Sequence, residues 1–306
     1  MSSGLLYVFL VFIGPMLTFM SSSWIMAWIG IEISFLGFLP IMLSSKMNSL
    51  SKEGTLKYFC IQAFSSALLF IFGLWVYVEE STLPMSALIL ALSIKLGVFP
   101  GHFWVPGISS MMSWGANLLL LSWQKLAPLF LLYMLFVKSD SNHVLIFFLG
   151  TSSALVGSLA GNNVQDVKAM MGASSVSHMG WVLFGLMYGG LTEYFIFYSI
   201  VLGVTFLLLA KNNIWASVSI LSLSGLPPFL LFIGKWNIVM LLAYSNGGKE
   251  MVFLSILVSS AIISLFFYLK FFYQYYYKEF KYNNFHLFLL FYVFFNFIAV
   301  FHLMIY

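Results

Sequence analysis

Apolar residues in this chain neither alternate nor keep to one helical face. They run on for the width of a bilayer and then give way to a few polar positions. Runs that long and continuous predict membrane-spanning helices, and they do not fit the alternating strands of a membrane barrel. Hydropathy places eleven runs, near 4–21, 23–43, 56–78, 84–108, 112–137, 143–161, 166–188, 192–210, 214–245, 250–276 and 285–305. The connections between them are short, and neither a linker nor an internal repeat is visible. The expectation is an all-α, polytopic membrane protein of about eleven helices forming a single transmembrane domain over residues 1–306.

Two of the runs carry their own interruptions. Between Leu92 and Pro128 the chain reads LSIKLGVFPGHFWVPGISSMMSWGANLLLLSWQKLAP. Gly97, Pro100, Gly101, Pro106 and Gly107 break the first half soon after Lys95. The sequence SGLPP at 224–228 interrupts the ninth run before Lys235. These are the two spans expected to be broken. Proline removes a backbone donor, and broken helices are tolerated in membranes where protein or a wet cavity covers the freed groups.

Charges inside the runs are few. Glu32 lies in the second span, Lys95 in the fourth, Lys125 in the fifth and Lys235 in the ninth. The first three sit ~15–20 Å from a span end, near the middle of a hydrocarbon core of ~30 Å. A charge at that depth costs several kcal/mol, which marks a functional site by default. A lysine in water holds its proton too firmly to pass it on. Burial and a neighbouring carboxylate act on that proton in opposite senses, so a lysine beside a movable negative charge can switch. Glu32 is the candidate partner of Lys95, with Lys125 and Lys235 as later stations of a proton path. The bland alternatives are structural ion pairs and packing kinks; buried lysines beside breaks in two separate spans favour the path.

His178, in SSVSHMGW, is a candidate relay or else a histidine hydrogen-bonded to Ser174 or Ser177. His102 is read as interfacial, near the inner mouth, with proton uptake as its other reading. Lys270 is expected to reach the interface from near the end of its span.

Composition narrows the function classes. The 306 residues are 62% hydrophobic and 7% charged, against the roughly 25% charge of a soluble domain, so a globular surface is excluded. The net charge of +4 forms no basic cluster, and no nucleic-acid partner is expected. All 13 basic residues are lysine, which reads as codon bias of the kind found in a small AT-rich organelle genome. The single cysteine, Cys60, excludes an internal disulfide and a cysteine cluster and is expected to pack. No GxGxxG pattern follows a strand, so a nucleotide, haem or iron–sulfur site in this chain is not expected. The amino-terminal run lacks a basic or Arg-rich targeting pattern and reads as a retained span.

Loop charge suggests an orientation. With the N-terminus inside, the inner connections carry Lys46, Lys52, Lys57, Lys168, Lys211, Lys278 and Lys281. The outer ones carry Lys138 and Lys249 with Glu79, Glu80, Asp140, Glu193 and Glu250. That asymmetry places the N-terminus inside and, with an odd span count, the C-terminus outside.

The segments WIGIEISFLGFLP (28–40), KYFCIQAFSSALL (57–69), KLGVFPGHFWVP (95–106), SWQKLAP (122–128), SSVSHMGW (174–181) and SLSGLPPFLLFIGKW (222–236) resemble, in order, the NADH dehydrogenase subunit 2 family. These are the mitochondrial antiporter-like subunits of respiratory complex I. The resemblance implies an antiporter-like fold and a place in the proton-pumping membrane arm of NADH:ubiquinone oxidoreductase. It implies the 4L subunit and antiporter-like subunit 4 as neighbours within the lipid bilayer of the mitochondrial inner membrane; the orientation read from loop charge would there put the N-terminus on the matrix side and the C-terminus on the intermembrane-space side. NADH, FMN, iron–sulfur clusters and ubiquinone would be handled by other subunits, this chain binding no cofactor. By motif match Glu32 corresponds to the glutamate of the family's Glu–Lys pair, Lys95 to its partner, Lys125 to the central lysine and Lys235 to the lysine of the second broken helix. An independent cation/proton antiporter and a passive spacer are the alternatives.

Overall fold

A computed structural model describes residues 2–44, 49–79, 82–138, 143–211, 215–245 and 248–278. The predicted span 285–305, with His286 and His302, lies outside the described residues, as do Lys46, Glu80, Asp140 and Lys281. Among the described residues the chain is helical and has no strand. The helices are α1 (Ser2–Met20), α2 (Trp24–Ser44), α3 (Ser49–Val78), α4 (Thr82–Leu96), α5 (Trp104–Met111), α6 (Trp114–Leu121), α7 (Leu126–Lys138), α8 (His143–Asn163), α9 (Val167–Tyr188), α10 (Leu191–Ala210), α11 (Trp215–Ser224), α12 (Leu230–Tyr244) and α13 (Gly248–Lys278). Seven segments of the described residues, counting α4–α5 and α6–α7 as one each, are long and apolar enough to cross a membrane.

Small residues let the helices approach. On α1 and α2, a Cβ at Gly14 would lie 2.5 Å from Ser34, and one at Gly30 would lie 2.7 Å from Thr18. On α8 and α9, Gly157 lies against the Ser177 backbone and Gly180 against the Gly150 carbonyl. Lipid is as apolar as leucine, so this close backbone packing, rather than a hydrophobic drive, favours helix association. α9 is buried along nearly its whole length, including Ser174, Ser175, Ser177 and His178. The serines satisfy themselves on carbonyls one turn back, Ser174 on Met171, Ser175 on Gly172 and Ser177 on Ser174. A polar helix can therefore stand at the centre of an apolar bundle.

Proline alone does not break these helices. α1 continues through Pro15 and α2 through Pro40. The breaks come at glycines in the left-handed region, Gly97 and Gly225, both with φ +71°. α4 ends in a Schellman motif, with Gly97 N–H donating to the Ile94 carbonyl at 3.1 Å and Val98 N–H to that of Ser93 at 2.9 Å. Gly225 N–H donates likewise to the Ser222 carbonyl at 3.4 Å. In both places the third residue after the glycine is a proline, Pro100 or Pro228, preceded by a cis bond. The short motif GxxP thus recurs, though no repeat is evident in the sequence as a whole.

Two expectations need correction. The fifth span is not continuous: α6 and α7 are separated by a 3₁₀ turn at Trp123–Lys125. Cys60 does not pack in the core but is exposed on α3.

Candidate functional site

The row of buried ions begins between α2 and α4. Lys95, in the last turn of α4, places Nζ 3.5 Å from Glu32 Oε1, an ion pair whose lysine side chain is nearly closed off and whose carboxylate is 19% exposed. Side chains cover the last carbonyls of α4 as well as the Schellman bonds do. Trp104 Nε1 donates to the Ile94 carbonyl at 3.1 Å and Gln62 Nε2 to that of Lys95 at 3.3 Å. At these two groups it is protein, through side chains of α3 and α5, that covers the first break.

Lys125 occupies the 3₁₀ turn that sequence reading missed. No proline or glycine lies between 116 and 127 to announce it. Its causes are tertiary and local together: Ser122 Oγ donates to the Leu118 carbonyl at 2.6 Å, Trp123 Nε1 to Val11 on α1 at 3.0 Å and Gln124 Nε2 to Ser34 on α2 at 3.2 Å. The turn brings Lys125 inward, where it is 4% exposed and Nζ has no hydrogen-bond partner among the described residues. Lys95 and Lys125 line one cavity together with Ser34, Tyr58, Gln62 and Gln124. It has room for about one water molecule, and its polar walls offer that water partners.

His178 lies on α9, one turn before Trp181, whose ring faces Lys235 Nζ at 5.5 Å. Its partners are not Ser174 and Ser177. Nδ1 is 2.7 Å from Tyr194 Oη on α10, and Nε2 is 3.1 Å from Tyr268 Oη on α13. Sequence reading gave neither tyrosine a role. A buried phenol needs a hydrogen-bond partner, but the burial of Tyr194, in the first turn of α10, shows only in the fold.

Lys235, in the second turn of α12, folds back over the second break. Its Nζ donates to the Ser224 carbonyl at the end of α11 at 2.7 Å and lies 5.5 Å from the Trp181 ring centre. A cation there complements the negative end of the α11 dipole.

The remaining polar candidates fall elsewhere. His102 sits in the turn Gly101–Phe103 inside the first break, buried beside Phe103 at 3.9 Å between ring centres. Lys270 Nζ donates to the Val164 carbonyl beyond α8 at 3.1 Å.

The family described as NADH:quinone oxidoreductase/Mrp antiporter, transmembrane, matches residues 21–213. The protein called NADH-ubiquinone oxidoreductase chain 2 in Albinaria caerulea is 38% identical over 269 residues, covering 86% of this chain and 85% of that protein. Among solved structures, a chain of respiratory complex I from Thermus thermophilus with bound aureothin aligns with TM-score 0.75 at 20% identity, over 87% of this chain and 69% of that one. A chain of the Mrp complex from Dietzia sp. DQ12-45-1b aligns with TM-score 0.79 at 18% identity, over 86% of this chain and 59% of that one. At those identities the two structures share the fold.

Proposed function

The chain belongs to the antiporter-like family of NADH:quinone oxidoreductase and Mrp subunits, and on that premise we propose that Glu32, Lys95, Lys125, His178 and Lys235 form its proton path. It is a chain 2 subunit of NADH:ubiquinone oxidoreductase, respiratory complex I, and so part of an enzyme. The observation that carries the path is its continuity. Lys95 and Lys125 share a cavity, and Lys235 faces the ring of Trp181, one turn along α9 from His178.

Each member has a distinct task. Glu32 sets how firmly Lys95 holds its proton, and Lys95 and Lys125 exchange one across the cavity water. His178 carries it to Lys235, whose bond to Ser224 anchors the far end. The likeness to the Mrp complex concerns the fold, whereas a relative at 38% identity is itself a complex I subunit by name, so an independent antiporter is not favoured.

The same reading places the chain in the mitochondrial inner membrane as a single transmembrane domain crossing eleven times. The first broken span is α4 with α5 and the second α11 with α12. The N-terminus faces the matrix and the C-terminus the intermembrane space, with the 4L and antiporter-like 4 subunits as neighbours. NADH, FMN, iron–sulfur clusters and ubiquinone belong to other subunits, and this chain binds none of them.

The test is Lys125→Met, which keeps length and burial but removes the protonatable group. Complex carrying it, reconstituted in vesicles and normalised to assembled enzyme, is expected to pump on the order of a hundredfold more slowly. Pumping at the wild-type rate would make the chain a spacer.

A further inference from the structure

His178 is held at both of its ring nitrogens, and by the same kind of group. We propose that Tyr194 and Tyr268 are stations of the proton path in their own right, one on each side of the imidazole, so that a proton crosses this part of the core through the ring. The inference rests on the path proposed above and adds two residues from helices that no part of it had used.

The stereochemistry of the cluster selects this reading. A neutral imidazole has one N–H and one bare nitrogen, so of two phenols at 2.7 and 3.1 Å one must accept and the other donate. A phenol hydroxyl does both at once. Whichever way the ring is protonated, the phenol that accepts keeps its own proton to hand on, and the phenol that donates keeps lone pairs to receive one. The three groups therefore form an oriented chain that is open at both ends. His178 is 2% exposed and both tyrosines are fully buried, so bulk water does not compete for these bonds. Tyr194 packs against Gly234, the neighbour of Lys235 in the chain, with a Cβ there only 2.9 Å from the Tyr194 ring. That end of the chain thus borders the Lys235 segment.

One transfer balances as follows. A proton arrives on Tyr268 Oη, and the hydroxyl proton already there moves to Nε2. The N–H bond at Nδ1 breaks and its proton passes to Tyr194 Oη, which releases its own proton toward Lys235. One proton enters, one leaves, and the ring ends neutral in the other tautomer. Before a second proton can follow, both hydroxyls must rotate and the imidazole must also return to its first tautomer.

A purely structural cluster would tie α9, α10 and α13 together without passing anything. The two roles separate in intact complex I reconstituted in vesicles, with NADH-driven pumping measured per assembled complex. Tyr194→Phe and Tyr268→Phe are each expected to lower pumping on the order of tenfold or more. Tyr198 is the control: its ring is 4.9 Å from the imidazole and fully buried, but its hydroxyl is on neither ring nitrogen. Tyr198→Phe should stay within about twofold of wild type. His178→Gln keeps one donor and one acceptor for the two phenols but cannot pass a proton through itself. It should assemble and fail to pump.

Wild-type pumping by His178→Gln, or by both Tyr→Phe variants, would overturn the relay. So would failure of all three to assemble, since the bonds would then be holding the fold. Lys125→Met run in parallel separates the two levels. Normal pumping there removes the path as a whole, whereas lost pumping there with normal Tyr→Phe variants removes only the relay.

Discussion

The two breaks share a backbone and differ in their lysines. Gly97 and Gly225 take the same φ of +71°, each ends a helix, and each is followed three residues later by proline. At the first, Lys95 stands two residues before the glycine and faces the Glu32 carboxylate at 3.5 Å, a long contact with a partly exposed partner. At the second, Lys235 stands ten residues after the glycine and donates to the Ser224 carbonyl at 2.7 Å. A carboxylate can lose its charge, turn away or be drawn to another cation. A backbone carbonyl at a helix end can do none of these, and its partial charge is permanent. The same broken helix thus makes a switch at one end of the row and an anchor at the other.

Removing the backbone device should have the largest effect, and not equally at the two sites. Alanine at φ +71° costs about 1–2 kcal/mol before any overlap is counted. At Gly97 the new Cβ collides with Val105 at the start of α5, and Trp104 is 3.2 Å away. At Gly225 it meets the flexible Lys235 stem at 2.9 Å. Gly97→Ala is expected to deplete assembled complex more than Gly225→Ala, read as band intensity on a native gel stained for NADH oxidation. Equal depletion would mean that the surroundings of the two glycines do not matter.

The lysines themselves come next. Lys235→Met leaves the Ser224 carbonyl buried without its donor, a loss of about 1–3 kcal/mol. Lys95→Met leaves a carboxylate that is 19% exposed and can take up a proton rather than stand as an unpaired charge, which limits the loss. Thermal unfolding of the purified complex should therefore shift more for Lys235→Met, although both variants lose pumping. The reverse order would undo the distinction between anchor and switch. Smallest is the coupling within the switch. A double-mutant cycle of Glu32→Gln and Lys95→Met is expected to return an interaction energy of about 0.5–1 kcal/mol. A value of several kcal/mol would describe a locked pair instead.

What the sequence made legible followed from locality. Glu32, Lys95, Lys125 and Lys235 stand out because a charge inside an apolar run needs no neighbour to be noticed. The two breaks stand out because glycine and proline announce them. The turn at Lys125 was hidden, since its cause lies in bonds from Trp123 to Val11 and from Gln124 to Ser34, on helices far back in the chain. His178 was legible as a polar residue in mid-span, but its partners were not. Tyr268 is 90 residues away from it, and nothing local distinguishes Tyr194 from the other aromatics around it. Proline was a poorer guide than glycine, as the unbroken passage of α1 through Pro15 and of α2 through Pro40 makes plain.

The most direct measurement is the structure of the whole complex in two conditions, at rest and during steady NADH oxidation, at a resolution that places lysine Nζ. The Lys95–Glu32 separation is expected to lengthen beyond hydrogen-bonding distance in a fraction of turning-over particles, while Lys235 stays on the Ser224 carbonyl near its present 2.7 Å. A Lys95–Glu32 pair unchanged in every particle class, or a Lys235 that leaves its carbonyl while Lys95 stays, would contradict the assignment of switch and anchor.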